Sequence, residues 1–248
     1  MGWEEELEGA LTKAVSDVPD RVGVLFSGGL DSSLLAHLFR KVNKDVRLYS
    51  SCTTGSHDET WARKAADALG LPIEVLTRND DEILEGISSI KSITGENSSL
   101  LILIELPLYF ITKESDDSVL ATGQGADELF LGYKKYESTD TSKEDFRGVI
   151  DHVVPLERKI ADFNGKKLVY PYLDESVVSV ASKIPHDQNI LDGIRKKSLR
   201  AAALRLGLKE EMALKQKKAS QYSSGYRDAV SMIAKKRGKS VHELISEL

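Results

Sequence analysis

The stretch "GVLFSGGLDSSLL", Gly23 to Leu35, places a glycine pair between a serine and an aspartate, with an apolar run on either side. The run "RVGVLF" reads as a buried strand and "DSSLLAHLFRKV" as an amphipathic helix, so the glycines sit at a strand-to-helix turn. Without a Cβ, glycine lets backbone come close to an anion, and Ser27, Gly28 and Gly29 can present successive N–H groups to one. Ser32 and Ser33 open the helix and add hydroxyl donors at its positive end. No lysine follows, unlike the phosphate loop that ends in Gly-Lys-Ser/Thr. Asp31 is the odd member, because a carboxylate is repelled by phosphate unless a cation lies between them. A divalent ion such as Mg²⁺, with hard oxygen ligands on both sides, resolves the conflict. A plain strand–helix turn capped by Ser or Asp is the simpler alternative, but the full heptad after a buried strand is a far more specific pattern.

Outward from this turn, strand and helix signals alternate. "VRLYSSC", "PIEVLT" and "SVLATG" read as further strands. Between them lie helices in "SHDETWARKAADALG", with a capping-box pattern from Ser56 to Glu59, in "DEILEGISSIKSI", and in "NSSLLILIELPLYFITKES", with Pro107 as a kink. A glycine-rich turn follows "VLAT", and "ADELFLGYKKY" reads as the helix after it. Such alternation implies an α/β fold, a parallel β-sheet covered by helices on both faces. Ligands then bind at the carboxyl ends of the strands, where the strand order switches, so the two glycine-rich turns are expected to face one cleft. Past about Lys143 the strand signal stops and helical spacing takes over. The chain is expected to be a single domain over 1–248, with an α/β nucleotide-binding core over 1–142 and a mainly helical lobe over 143–248.

The heptad "SGGLDSS" resembles the PP-loop of the N-type ATP pyrophosphatases. Three more segments, in order along the chain, resemble the synthetase domain of asparagine synthetase and its relatives. They are "ATGQGADELFLGY" (Ala121 to Tyr133), "YPYLDESVVSVASKIP" (Tyr170 to Pro185), and "KKSLRAAALRLGL" followed by "LKQKKASQYSSG". The resemblance implies an AMP-forming ligase, in which the loop grips the β and γ phosphates and attack occurs at the α phosphate. Pyrophosphate leaves, and a carboxylate, aspartate by family default, is adenylated and then coupled to ammonia or an amine. It further implies that Leu25 and Ser51 line the adenine and ribose site, with Ser27, Gly28, Gly29, Ser32 and Ser33 on the phosphates. Thr122 and Gly123 would close the ATP pocket, Asp31 and Asp127 would bind Mg²⁺, and Lys217 would place positive charge near the α phosphate. Taken alone, Lys217 is a solvated cation in a basic run and Asp127 an early helix residue favoured by the macrodipole.

The pattern breaks at two places. Gln124 stands where the family has the glutamate of "GEG", and glutamine accepts no proton though it makes hydrogen bonds. Lys167 and Val169 stand where the family has the glutamate and arginine of "E-x-R-x-P-F-L-D". Both carboxylates that the family associates with amine handling are therefore missing from these positions. Asp174, Glu175 and Tyr133 are candidate substitutes. No cysteine follows Met1 to serve a glutamine-hydrolysing domain, so free ammonia or a separate glutaminase partner is the expected nitrogen source.

Composition narrows the classes further. The net charge of −5 and the absence of a basic aromatic face argue against nucleic acid, and thus against an RNA-modifying PP-loop enzyme. The apolar run "LLILIELPLYFI" contains Glu105 and Pro107 and is too short to span a bilayer. The start "MGWEEELEGA" is not a signal peptide, and the single cysteine, Cys52, allows no internal disulfide, so the expected location is the cytoplasm. The histidines lack metal-ligand spacing. A non-catalytic ATP-binding module remains the alternative that the two broken positions suggest.

Overall fold

The computed structural model describes residues 2–215 and 224–248. Five parallel strands, β1 (Arg21–Leu25), β2 (Asp45–Thr53), β3 (Ile73–Arg78), β4 (Val119–Ala121) and β5 (Lys167–Val169), pair in the order β3-β2-β1-β4-β5. The chain winds one way from β1 through β2 to β3, then returns to the far side of β1. The order therefore switches between β1 and β4, and the loops leaving those two strands border the crevice where ligands bind in such sheets.

The first half carries α1 (Trp3–Ser16), α2 (Leu30–Lys41), α3 (His57–Leu69), α4 (Asp80–Thr94), α5 (Ser99–Glu114) and α6 (Ala126–Leu129). The second carries α7 (Ser142–Gly148), α8 (Val154–Phe163), α9 (Glu175–Ala181), α10 (His186–Asn189), α11 (Lys197–Leu206), α12 (Glu210–Ala213), α13 (Tyr226–Lys236) and α14 (Val241–Glu247). A π-helical turn, Val149–Val153, joins α7 to α8. Val22, Val24, Val46 and Leu48 bury one face of the sheet against α1, α2, α3 and α11, through Leu7, Leu34, Ala62 and Leu199. Tyr49, Leu120 and Leu168 bury the other against α4, α5, α8 and α13, through Ile87, Leu106, Ile160 and Val230. Burial on both faces is why β1, at the centre of the sheet, reads as a nearly continuous apolar run. No helix among the described residues is long and apolar enough to cross a membrane.

Four details differ from expectation. Helix α1 precedes the first strand, within the segment that the sequence marks only as an acidic start. The strand signal does not end near Lys143, because the short segment Lys167–Val169 pairs with β4 and completes the sheet. The helix expected over "ADELFLGYKKY" is a single turn, Ala126–Leu129, ended by Leu131 in a left-handed conformation and followed by a 3₁₀ turn at Lys134–Glu137. At α3 only half of the capping box forms. The Ser56 hydroxyl accepts from Glu59 N–H, but Glu59 reaches past it to Gly55 N–H.

Candidate active site

The loop between β1 and α2 is shaped by its own side chains. Ser27 N–H donates to Ser32 Oγ and Gly29 N–H to Ser27 Oγ, each at 3.3 Å. Bonds of that length are weak, and these donors are open to exchange for a stronger acceptor such as a phosphate oxygen. Gly28 sits at φ +67°, where a side chain would be strained, and its carbonyl accepts from Trp61 Nε1 at 2.6 Å. The Trp61 ring is covered in turn by the Lys215 ammonium, 3.9 Å from its centroid. Helix α2 begins at Leu30 without a side-chain cap, so its first N–H groups remain available at the positive end of the dipole.

One cavity of about 240 Å³ opens at the switch between β1 and β4. Leu25, Ser27, Gly29, Asp31, Ser32, Ser51, Thr122, Gly123, Gln124 and Asp127, all named from sequence, line it together. Gly28 does not line it and faces Trp61. Ser33 is fully buried in α2, also off the cavity wall. Ser51 turns its hydroxyl to Tyr226 Oη, 2.5 Å away, and so meets the cavity by its remaining atoms. Lys217 lies outside the described residues. Lys167 is exposed at the outer end of β5 and does not line the cavity.

The centre of the site is a residue to which the sequence reading gave no role. Lys196 Nζ stands 2.7 Å from both carboxylate oxygens of Asp31 and 2.8 Å from Asp127 Oδ1. It is 3% exposed, and its backbone is left-handed at φ 55°. That conformation costs a non-glycine residue about 1 kcal/mol and is held here by the ion pairs. Burial works against the Lys196 charge, but Asp127 and Asp31 outweigh it and raise its pKa above the ordinary lysine value. Gly132 makes the arrangement sterically feasible, since a Cβ there would overlap Asp127 Oδ1 and Lys196 Cε. One turn further on, Arg200 lines the same cavity and is tied to the carbonyls of Arg195 and Ala213 at 2.8 and 2.6 Å. Burial lowers the Arg200 pKa, with Asp31 opposing.

The family model for asparagine synthase matches residues 2–163 and 151–244, nearly the whole chain. The chain belongs to the asparagine synthase family. A Methanocaldococcus jannaschii protein named as a putative glutamine-hydrolysing asparagine synthetase is 29% identical over 99% of this chain and 54% of its own length. The human glutamine-hydrolysing asparagine synthetase is 30% identical over 73% of this chain and 35% of its own. The chain thus spans about half or less of the length of these relatives. Among solved structures, the NMN synthetase of Francisella tularensis aligns over 98% of this chain and 91% of its own, with a TM-score of 0.50 and 11% identity, a likeness of fold.

Asparagine synthase family membership makes ATP and a divalent metal the groups to test against the site. The carboxylates of Asp31 and Asp127 converge on a single point, and a cation, the Lys196 ammonium, stands there. Two hard oxygen donors around a cation suit Mg²⁺. The residues present therefore fit a divalent ion, provided Lys196 withdraws from between them.

Proposed function

We propose that this protein is an ATP-dependent, AMP-forming ligase that adenylates a carboxylate, by family default aspartate, and passes the acyl group to ammonia or an amine. The observation that carries the reading is the meeting of the Ser27–Ser33 loop with Thr122–Asp127 around one cavity at the strand-order switch. Backbone N–H groups at Ser27, Gly29 and the start of α2 would hold the β and γ phosphates as a unit, with Leu25 and Ser51 beside the nucleoside. Asp31 and Asp127 would hold Mg²⁺, which when bound would neutralise charge on the phosphates.

Lys196, once released from the two carboxylates, would turn its ammonium toward the same phosphates. Arg200 adds a second cation to the wall of the same cavity. Lys217 would stabilise the charge that develops at the α phosphate, in line with the family pattern. Gln124, which lines the cavity, would orient a substrate by hydrogen bonds without taking a proton. The test is pyrophosphate release from ATP and Mg²⁺ across a panel of amino acids with ammonium, using Asp31→Ala as control. Release that depends on one acid and vanishes in the control supports the reading. No release with any acid removes it.

A further inference from the structure

The missing amine-handling carboxylates leave a chemical gap, and the same cavity holds a pair that fills it. Glu105 lies mid-way along α5 and Glu157 in the first turn of α8, and these two helices pack together. Both line the cavity with Gln124, yet they are only 2% and 4% exposed. Two acids this deeply buried are costly as charges, so each either keeps its proton or meets a cation. Glu157 Oε2 makes no hydrogen bond of ordinary geometry to the described residues. The Tyr170 hydroxyl, just past β5, points its hydrogen bond at Glu157 and Arg158 adds positive charge nearby; both favour the ionised form, but burial outweighs them.

We propose that Glu105 and Glu157 form the binding site for the nitrogen substrate, an ammonium ion or a primary ammonium group, and that Glu157 accepts its proton. This rests on the ligase reading above. The ammonium gives one proton to the Glu157 carboxylate. The freed nitrogen lone pair then attacks the acyl carbon of the adenylate, forming the C–N bond. The C–O bond to AMP breaks and AMP leaves with that electron pair, while a second proton passes from the adduct to water. Acyl-adenylate and ammonium thus yield amide, AMP dianion and two protons, with charge balanced.

Burial holds the Glu157 carboxyl up at about 8, and burial with Glu157 beside it raises Glu105 well above the usual carboxylate range. A bound cation therefore displaces a proton, and affinity for ammonium rises with pH toward 8.

The test is thermal melting of the full chain with ammonium chloride or methylammonium chloride, against tetramethylammonium chloride, which has no N–H. The wild-type midpoint is expected to rise by about 3–5 °C with at least one of the two N–H cations near saturation, and not with the control. Protection by ammonium alone identifies ammonia as the source, and protection by both identifies a primary amine. Glu157→Gln, nearly isosteric, and Glu157→Asp, which keeps the charge but retracts it, are expected to lose the shift. In turnover, Glu157→Gln is expected to raise the ammonium KM about tenfold or more. A wild-type protein indifferent to both cations, or a Glu157→Gln protein protected as well as wild type, overturns the inference. If protection holds while no acid releases pyrophosphate, the ligase reading falls and the cation site stands.

Discussion

Lys196 Nζ sits 2.7 Å from both oxygens of the Asp31 carboxylate, at the point where the sequence pattern calls for a metal ion. Asp127 completes the cluster at 2.8 Å. The lysine is a built-in counter-ion. It keeps two partly buried carboxylates compatible with a folded site, and on the proposed function it would give way to a divalent cation.

Replacing Lys196 by methionine leaves those carboxylates facing each other without a charge between them. The expected loss is roughly 3 kcal/mol of stability in metal-free buffer, typical of breaking one side of a buried ion pair. Mg²⁺ is expected to raise the melting point of Lys196→Met more than that of wild type, because the metal no longer competes with an ammonium. Melting curves with and without Mg²⁺ check this, and equal metal responses would show that Lys196 and the metal do not share a place.

Gly132→Ala is expected to destabilise by about 1–3 kcal/mol, since the added methyl would overlap Asp127 and the Lys196 side chain. Denaturant melts read the loss. The same variant is expected to weaken Mg²⁺-dependent nucleotide binding, because Asp127 is the group displaced.

These residues also show what could be read from the chain alone. The Ser27–Ser33 turn was legible because its pattern is local: a strand, small residues and a helix start in sequence order. The switch-point cavity followed from strand–helix alternation. Lys196 was not legible in role, since a lysine beside Lys197 looks solvated until the fold brings Asp31 and Asp127 to it. The only local signal was its i, i+4 spacing from Arg200 at the start of "KKSLRAAALRLGL". β5 escaped because three residues carry no periodicity. Glu105 was visible as a charge in an apolar run, but its partner Glu157 comes from a distant helix, and only packing pairs them.

The buried acid pair makes stability depend on pH. Unfolded, Glu157 ionises near 4.5, whereas folded it holds its proton up to about 8. A raised carboxyl pKa stabilises the fold fully below the unfolded value, and that contribution is lost as pH rises through the folded value. Glu157→Gln is therefore expected to be more stable than wild type, by a margin that grows from about pH 5 to about pH 8 and then levels. On the order of a few kcal/mol is the ceiling at pH 8. A margin independent of pH would mean that Glu157 is ionised throughout.

Trp61 offers an optical view of the phosphate loop. Its Nε1–H donates to Gly28 O, and Lys215 covers its ring. ATP entering the loop is expected to change Trp61 emission, a signal kept in Trp3→Phe and lost in Trp61→Phe. Titration of the two variants with ATP in Mg²⁺ buffer reads the difference, and a signal that follows Trp3 instead would place the nucleotide elsewhere.

The most direct measurement of the central claim is product analysis by ³¹P NMR after incubation with ATP, Mg²⁺, aspartate and ammonium. AMP and pyrophosphate in equal amounts, absent in Asp31→Ala, is the result expected of a loop that holds the β and γ phosphates as a leaving group. ADP and inorganic phosphate from the wild-type protein would contradict it.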